Sequence, residues 1–164
     1  MSICEGPIIQ TAWVVPDAAA TEAHLSALTG VQGWTRLPDI RFSPDSCTYR
    51  GAPADFTAHI SMTYVGDMQL EVIQPVLGES IYTEFLERTG GGLHHLCWEV
   101  DDLDKALAEA ADRQIPALQT GDMAGGSIRF AYLDGAAYGV PYVELAQLDD
   151  GMKSFYAHIK EQSQ

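Results

Sequence analysis

The chain carries one structural unit twice, and this constrains its fold more than any other feature. Adding 85 to Gln10 gives His95, and adding 85 to Asp17 gives Asp102 at the same strand-to-helix corner. A repeated unit of this length pairs with its copy across a pseudo-two-fold axis. A site on that axis collects equivalent residues from both halves, so chemistry is expected there.

The elements follow from apolar periodicity and turn residues. Residues 8–15 read as a strand closed by Pro16-Asp17, and the Ala-rich stretch 18–28, with Leu25 and Leu28 at helical spacing, reads as a helix ended by Gly30 and Gly33. A short strand at 34–37 precedes a Pro-, Asp-, Ser- and Gly-rich loop over 38–55, long enough to be a pocket flap. Strands at 56–65 and 68–74 form a hairpin around Gly66-Asp67, ended by Pro75. A helix at 80–88 and the glycine-rich hinge 89–92 close the first half. The second half repeats the order, with a strand at 93–100, a helix at 103–113, strands at 116–120, 127–133 and 140–147, and a terminal helix at 152–160. The expected fold class is α+β. Two tandem βαβββ modules, 8–78 and 93–147, form a cupped, barrel-like mixed sheet with helices outside; 79–92 connects them, 148–164 is a C-terminal helical segment, and the whole of 1–164 is a single domain.

Composition narrows the function. Nine Lys and Arg stand against 23 Asp and Glu, a formal charge of −14, and the basic residues are scattered singly, so a nucleic-acid partner is not expected. Three cysteines without CxxC spacing argue against a disulfide framework or a structural zinc knuckle and fit a reducing cytoplasm. The first ten residues lack a basic segment with a long apolar run, and no stretch approaches the ~20 apolar residues of a membrane span, so a cytoplasmic protein without a membrane partner is expected.

Strand parity then isolates a polar set. Successive side chains of a strand point to opposite faces, so in 93–100 His94, Leu96, Trp98 and Val100 share a packed face while His95, Cys97 and Glu99 face the cup. The same reading turns Gln69, Glu71 and Ile73 inward from 68–74, and Tyr142, Glu144 and Ala146 inward from 140–147. In the first strand Gln10, Ala12 and Val14 face inward, while Ile9, Trp13 and Val15 pack. Carboxylates in apolar strands are costly to bury unpaired, and no Lys or Arg is adjacent in sequence to Glu71 or Glu144, so the pair needs a cation, a hydrogen-bond network or solvent. One imidazole, two carboxylates and an amide oxygen suit one divalent ion such as Zn, Ni, Co, Mn or Fe. His24, His59, His94 and His158 are read as structural or surface residues. Cys97 has no base partner and is read as pocket lining, with Tyr142 and Met62 as further lining residues and Trp13 and Trp98 as core.

The segment Gly92-Leu93-His94-His95-Leu96-Cys97-Trp98-Glu99-Val100-Asp101-Asp102 resembles the opening of the second module in vicinal-oxygen-chelate proteins, the glyoxalase/bleomycin resistance/dioxygenase superfamily, and methylmalonyl-CoA epimerases in particular. Leu70-Glu71-Val72-Ile73-Gln74-Pro75, Phe85-Leu86 before the hinge and Val143-Glu144-Leu145 match the same order, and the similarity spans roughly residues 8–147. The resemblance implies metal ligands on the first and last strands of each module, here Gln10, Glu71, His95 and Glu144. Epimerases commonly carry His at the first position, whereas a Gln/Glu/His/Glu set is closer to eukaryotic-type glyoxalase I.

The expectation is therefore a metal-dependent epimerase, isomerase or lyase that abstracts a proton next to a carbonyl, with Glu71 and Glu144 moving the proton. Its substrate would be a small molecule of the acyl-CoA or hemithioacetal class, and a homodimer fits the family. Two rivals share the fold. One is a metal-free ligand-binding protein of the antibiotic-resistance type. The other is a ring-cleaving dioxygenase, which normally needs two His and one carboxylate around iron.

Overall fold

A computed structural model describes residues 2–163; Met1 and Gln164, the two ends of the expected domain, lie outside the described residues. Strand β1 (Ile8–Val14) leads to α1 (Ala18–Thr29), β2 (Thr35–Phe42), the short strands β3 (Thr48–Tyr49) and β4 (Ala52–Pro53), and the long hairpin β5 (Phe56–Val65) and β6 (Met68–Leu77). Helix α2 (Ile81–Thr89) connects to β7 (Gly92–Glu99), α3 (Leu103–Asp112), β8 (Ala117–Met123), β9 (Ile128–Asp134), β10 (Tyr142–Leu148) and α4 (Asp150–Gln162).

All ten strands form one curled sheet in the order β2-β5-β6-β1-β7-β10-β9-β8-β3-β4. Each module places its first strand parallel to its last, β1 with β6 and β7 with β10, and β1 pairs antiparallel with β7 at the centre. The expected duplication is thus visible as two copies of one strand order joined by their first strands. The second module also copies the start of its helix: Asp17 caps α1 and Asp102 caps α3, each accepting a backbone N–H three residues on.

Helix α3 packs Leu103, Ala106 and Ala110 onto Leu133, Val143 and Leu145 on the convex side of the second module. Helix α1 behaves differently from expectation. Its Ala-rich surface touches β5 and β6, Glu22 is its one buried residue, held by Arg36, and Leu28 stands 82% exposed. Small side chains let this helix lie flat on the sheet, so its leucines are not needed as anchors. Inside the cup lies another apolar cluster, with Phe42 stacked on Phe56 at 4.6 Å and Phe130 and Tyr82 meeting them edge-on.

The stretch 38–55 is not the open loop that its composition suggests. Strand β2 runs through Pro38 to Phe42, which is tolerated because β2 is an edge strand and the ladder slips between Leu37 and Ile40, where Asp39 takes φ 53°. The β3-β4 hairpin then crosses to the other module and pairs with β8. Pro75 likewise sits inside β6, accommodated by a second slip opposite Thr57 and Ala58.

Gly78, just before α2, has φ +85°, and a Cβ there would lie 2.2 Å from the Asp55 carbonyl oxygen and 2.8 Å from Phe56 Cα. Gly66, in the β5-β6 turn, has φ +60° but opens onto free space. Gly78→Ala should therefore destabilise the fold by about 2–3 kcal/mol, and Gly66→Ala by about 1 kcal/mol, in urea denaturation. Equal effects would show that backbone conformation alone, and not the close approach, requires glycine at 78.

Candidate metal centre

The four central strands bring the polar set together through their register. One row across the sheet reads Glu71, Ala12, His95, Tyr142, and the next reads Gln69, Gln10, Cys97, Glu144. Small side chains, Ala12 and Cys97, occupy the middle positions between the ligand candidates, so the longer groups can lean across and meet. His95 Nε2 is the meeting point, 2.9 Å from Glu144 Oε2, 3.2 Å from Gln10 Oε1 and 3.5 Å from Glu71 Oε2. Glu71, His95 and Glu144 form a buried group able to hold a metal ion, with one donor atom from each lying within 4.8 Å of the others.

Burial sets the electrostatics. His95 is fully buried, Glu71 is 8% exposed and Glu144 5%, and among the described residues no Lys or Arg pairs with either carboxylate. Burial pushes the His95 imidazole down, but the charges and hydrogen bonds of Glu144 and Glu71 outweigh it and hold it up at about 9. Burial raises the Glu71 carboxyl, against the pull of His95. Without a metal, the proton on His95 is the local cation that offsets these two acids.

Two neighbours orient the inner donors. Gln10 Nε2 donates to Gln69 Oε1 at 2.5 Å, and Gln69 Nε2 donates to the Tyr64 hydroxyl at 3.0 Å, which leaves Gln10 Oε1 turned toward His95. On the other side His94 Nδ1 lies 2.8 Å from His95 Nδ1. Strand parity assigned His94 to the packed face, but a register shift in the β1-β7 ladder pairs Ala12 with His95 and Trp13 with Leu93, leaving His94 as an extra, bulged residue. Its ring lies buried among Tyr82, Phe85, Tyr132 and Tyr142, and burial, together with the charge on His95, keeps it well below the ordinary histidine range. A similar shift between Ile8 and Gln10 turns Ile9, expected to pack, toward the cavity.

Gln10, Glu71 and Glu144 open onto a cavity of about 620 Å³ inside the cup. Ile73 and Cys97 line it as parity predicts, Met62 lines it as expected, and burial first, then the nearby carboxylates, push the Cys97 thiol well above its ordinary range. Tyr142 does not line it; it is buried against His94. Trp98 packs beside α3, as expected of a core residue, and Trp13 is half-buried. Tyr132 and Tyr82 are among the wall residues that the sequence reading misses. Tyr132 pairs directly with Glu144 across the β9-β10 ladder and was legible from the hairpin register, whereas Tyr82 comes from α2, whose docking no strand pattern reveals. Their hydroxyls share a 2.7 Å hydrogen bond, and burial holds both phenols well above their ordinary range.

Comparison with known proteins agrees with this architecture. A stretch of 72 residues is 31% identical to the mitochondrial methylmalonyl-CoA epimerase of Bos taurus, covering 42% of this chain and 41% of that protein. A stretch of 62 residues is 32% identical to the Mus musculus epimerase, covering 36% and 35%. The matches thus span about two fifths or less of those relatives. Among solved structures, a hypothetical protein from Bacillus halodurans superposes with a TM-score of 0.65 at 17% identity, over 88% of this chain and 95% of that one. The methylmalonyl-CoA epimerase of Mycobacterium tuberculosis gives 0.62 at 15% identity, over 93% and 94%. At such identities these two likenesses concern the fold. The family described as the glyoxalase/bleomycin resistance protein/dioxygenase superfamily matches residues 9–132, a span that includes Gln10, Glu71 and His95 and stops before Glu144. With three quarters of its length matched and the strand order of paired βαβββ modules, the chain belongs to the glyoxalase/bleomycin resistance protein/dioxygenase superfamily.

Proposed function

We propose that this protein is a divalent-metal-dependent enzyme that moves a proton on the carbon next to a carbonyl, as an epimerase, isomerase or lyase. The observation that carries this reading is the convergence of three oxygen donors on His95 Nε2, two of them from buried carboxylates that pair with no Lys or Arg among the described residues. The partial likeness to methylmalonyl-CoA epimerases supports the same chemistry.

Gln10, Glu71, His95 and Glu144 would hold the ion through one amide oxygen, two carboxylates and one imidazole, a set suited to Zn, Ni, Co, Mn or Fe. When bound, the ion would supply Lewis acidity toward a carbonyl oxygen and offset the charge that develops as the α-proton leaves. Glu71 and Glu144 come from opposite modules and both open onto the cavity, so one carboxylate can take a proton from one side of a carbon while the other returns it. The Tyr82–Tyr132 pair spends one hydroxyl hydrogen on itself and retains one for a substrate oxygen.

The His94–His95 contact specifies a tautomer. For His95 Nε2 to be a ligand, its proton must sit on Nδ1 and be donated to His94 Nδ1, which forces the His94 proton onto Nε2. Among the described residues that buried nitrogen has no hydrogen-bond partner, a cost of about 1–3 kcal/mol that is understandable if the pair exists to orient a ligand.

Three outcomes are expected. Elemental analysis of untagged protein reconstituted with Zn, Co or Mn should find one bound ion, lost in His95→Ala and Glu144→Ala. The loaded protein should exchange α-hydrogen with deuterium in methylmalonyl-CoA, in the glutathione–methylglyoxal hemithioacetal or in an uncharged α-hydroxyketone, and Glu144→Gln should slow exchange by about 10²-fold or more while retaining metal. Failure to take up any metal would instead favour a metal-free ligand-binding protein of the same fold. Secondly, because the His95 proton persists up to about pH 9, metal uptake at pH 7–8 should release about one proton, and affinity should rise with pH and level off above 9; calorimetry in buffers of different ionisation enthalpy reads this. Lastly, His94→Phe keeps the ring and loses the Nδ1 acceptor, so metal affinity should fall by about 10–100-fold, and His94→Asn, whose Oδ1 can stand in for Nδ1, should recover most of it.

A further inference from the structure

The geometry points to a substrate whose body is apolar and uncharged, not a coenzyme A or glutathione conjugate. This inference rests on the proposed proton-transfer reading and names the class of carbonyl compound that the cavity takes.

The cavity wall opposite the polar cluster is built from aliphatic, aromatic and thioether side chains. Ile40, Phe42 and Ile60 come from the first module and Met123, Ile128 and Phe130 from the second. Helix α4 adds Met152, Phe155 and Tyr156, so the terminal helix forms part of the enclosure rather than lying apart from it. A volume of about 620 Å³ falls within the range of sites that enclose a whole organic molecule, where apolar walls supply affinity and a few polar groups fix orientation.

The charges at the cavity are wrong for a polyanion. Its charged lining residues are Asp39, Glu71, Glu144 and Arg41, three acids and one base. Arg41 is already engaged, its Nε and Nη2 donating to the two carboxylate oxygens of Asp55 at 2.9 and 2.7 Å. Elsewhere Arg36, Arg50, Arg113, Arg129, Lys153 and Lys160 are each paired with an acid. Arg88 lies against the Phe85 ring, and Lys105 sits in a groove with Glu5, Glu99, Asp101, Asp102 and Glu109; neither lines the cavity. Coenzyme A presents a diphosphate and a further phosphate, and glutathione presents two carboxylates. Each would approach a molecule of net charge −14 that offers, among the described residues, no cluster of available cations at the cavity to receive it.

What fits is a neutral molecule with a bulky aromatic or alicyclic body, carrying a carbonyl with an adjacent oxygen and a removable α-hydrogen. The body fills the apolar wall, and the oxygens reach Gln10, Glu71, Glu144 and the tyrosine hydroxyls.

Calorimetric titration of the metal-free protein with benzoin and, separately, with propionyl-CoA tests this without any turnover. Benzoin is a neutral aryl α-hydroxyketone. Benzoin should bind at least about tenfold more tightly than propionyl-CoA, a difference of about 1.4 kcal/mol. Phe155→Ala, at a half-buried position on α4, should weaken benzoin at least about fivefold in protein that still unfolds cooperatively. Tighter binding of propionyl-CoA, or no saturable binding of benzoin, would overturn the inference. Because the titration needs neither metal nor catalysis, the proton-transfer reading can fail while this result stands, and metal-dependent exchange on a coenzyme A ester would sustain that reading while sinking this one.

Discussion

Everything in this molecule hangs on the antiparallel pairing of β1 with β7. It is the one ladder between the modules' first strands, and it carries Gln10 opposite Cys97 and Ala12 opposite His95. Rotation about its axis exchanges Gln10 with His95 and Ala12 with Cys97, each pair 85 residues apart. The flanking parallel strands follow with a different offset: Glu71 exchanges with Glu144 and Gln69 with Tyr142, both 73 apart. The difference of 12 residues has a structural origin. The first module contains the β3-β4 hairpin between its second and third strands, and the second module has no counterpart there. The added hairpin is not idle, since it pairs with β8 and ties the two far edges of the sheet together.

This constraint explains why so much could be read from residue order. Alternation in β1, β6, β7 and β10 gives the inward face, and that face contains Gln10, Glu71, His95 and Glu144. Where the strands differ from expectation, the cause is a departure from two-residue periodicity. A proline reads as a strand end, yet Pro38 and Pro75 each lie beside a slip in the ladder that absorbs the missing N–H. Alternation places His94 and Ile9 on the outer face, yet each sits at a bulge that turns it inward. A bulge depends on how two strands are matched, which neither strand's own sequence displays. Tyr82 and the α4 residues were invisible for a related reason, because the pose of a helix over the cup is a tertiary matter.

The centre also illustrates how a buried acidic pair can persist in an apolar cup. Two carboxylates without a basic partner would ordinarily move toward solvent or take up protons. Here the doubly protonated imidazole of His95 supplies the compensating charge in the metal-free protein, and its Nε2 sits where a cation would draw the same oxygens. A metal ion held by the proposed donors would take the place of that proton.

The two inner donors are symmetry mates with different chemistry, and their supports differ accordingly. An amide presents its oxygen only if its NH₂ group is held elsewhere, and Gln69, the next strand's residue in the same row, accepts from it. An imidazole presents Nε2 only if Nδ1 keeps its proton, which needs an acceptor close behind the ring. The symmetry mate of Gln69 is Tyr142, whose side chain stacks beside His94 instead of reaching His95. The acceptor comes from the preceding residue of the same strand, and a bulge is what allows neighbouring side chains of one strand to meet on one side. Both modules carry that bulge, since Ile9 lies 85 residues before His94 and sits at the matching shift in β1; what differs is the side chain placed there, an isoleucine beside Gln10 and an imidazole beside His95.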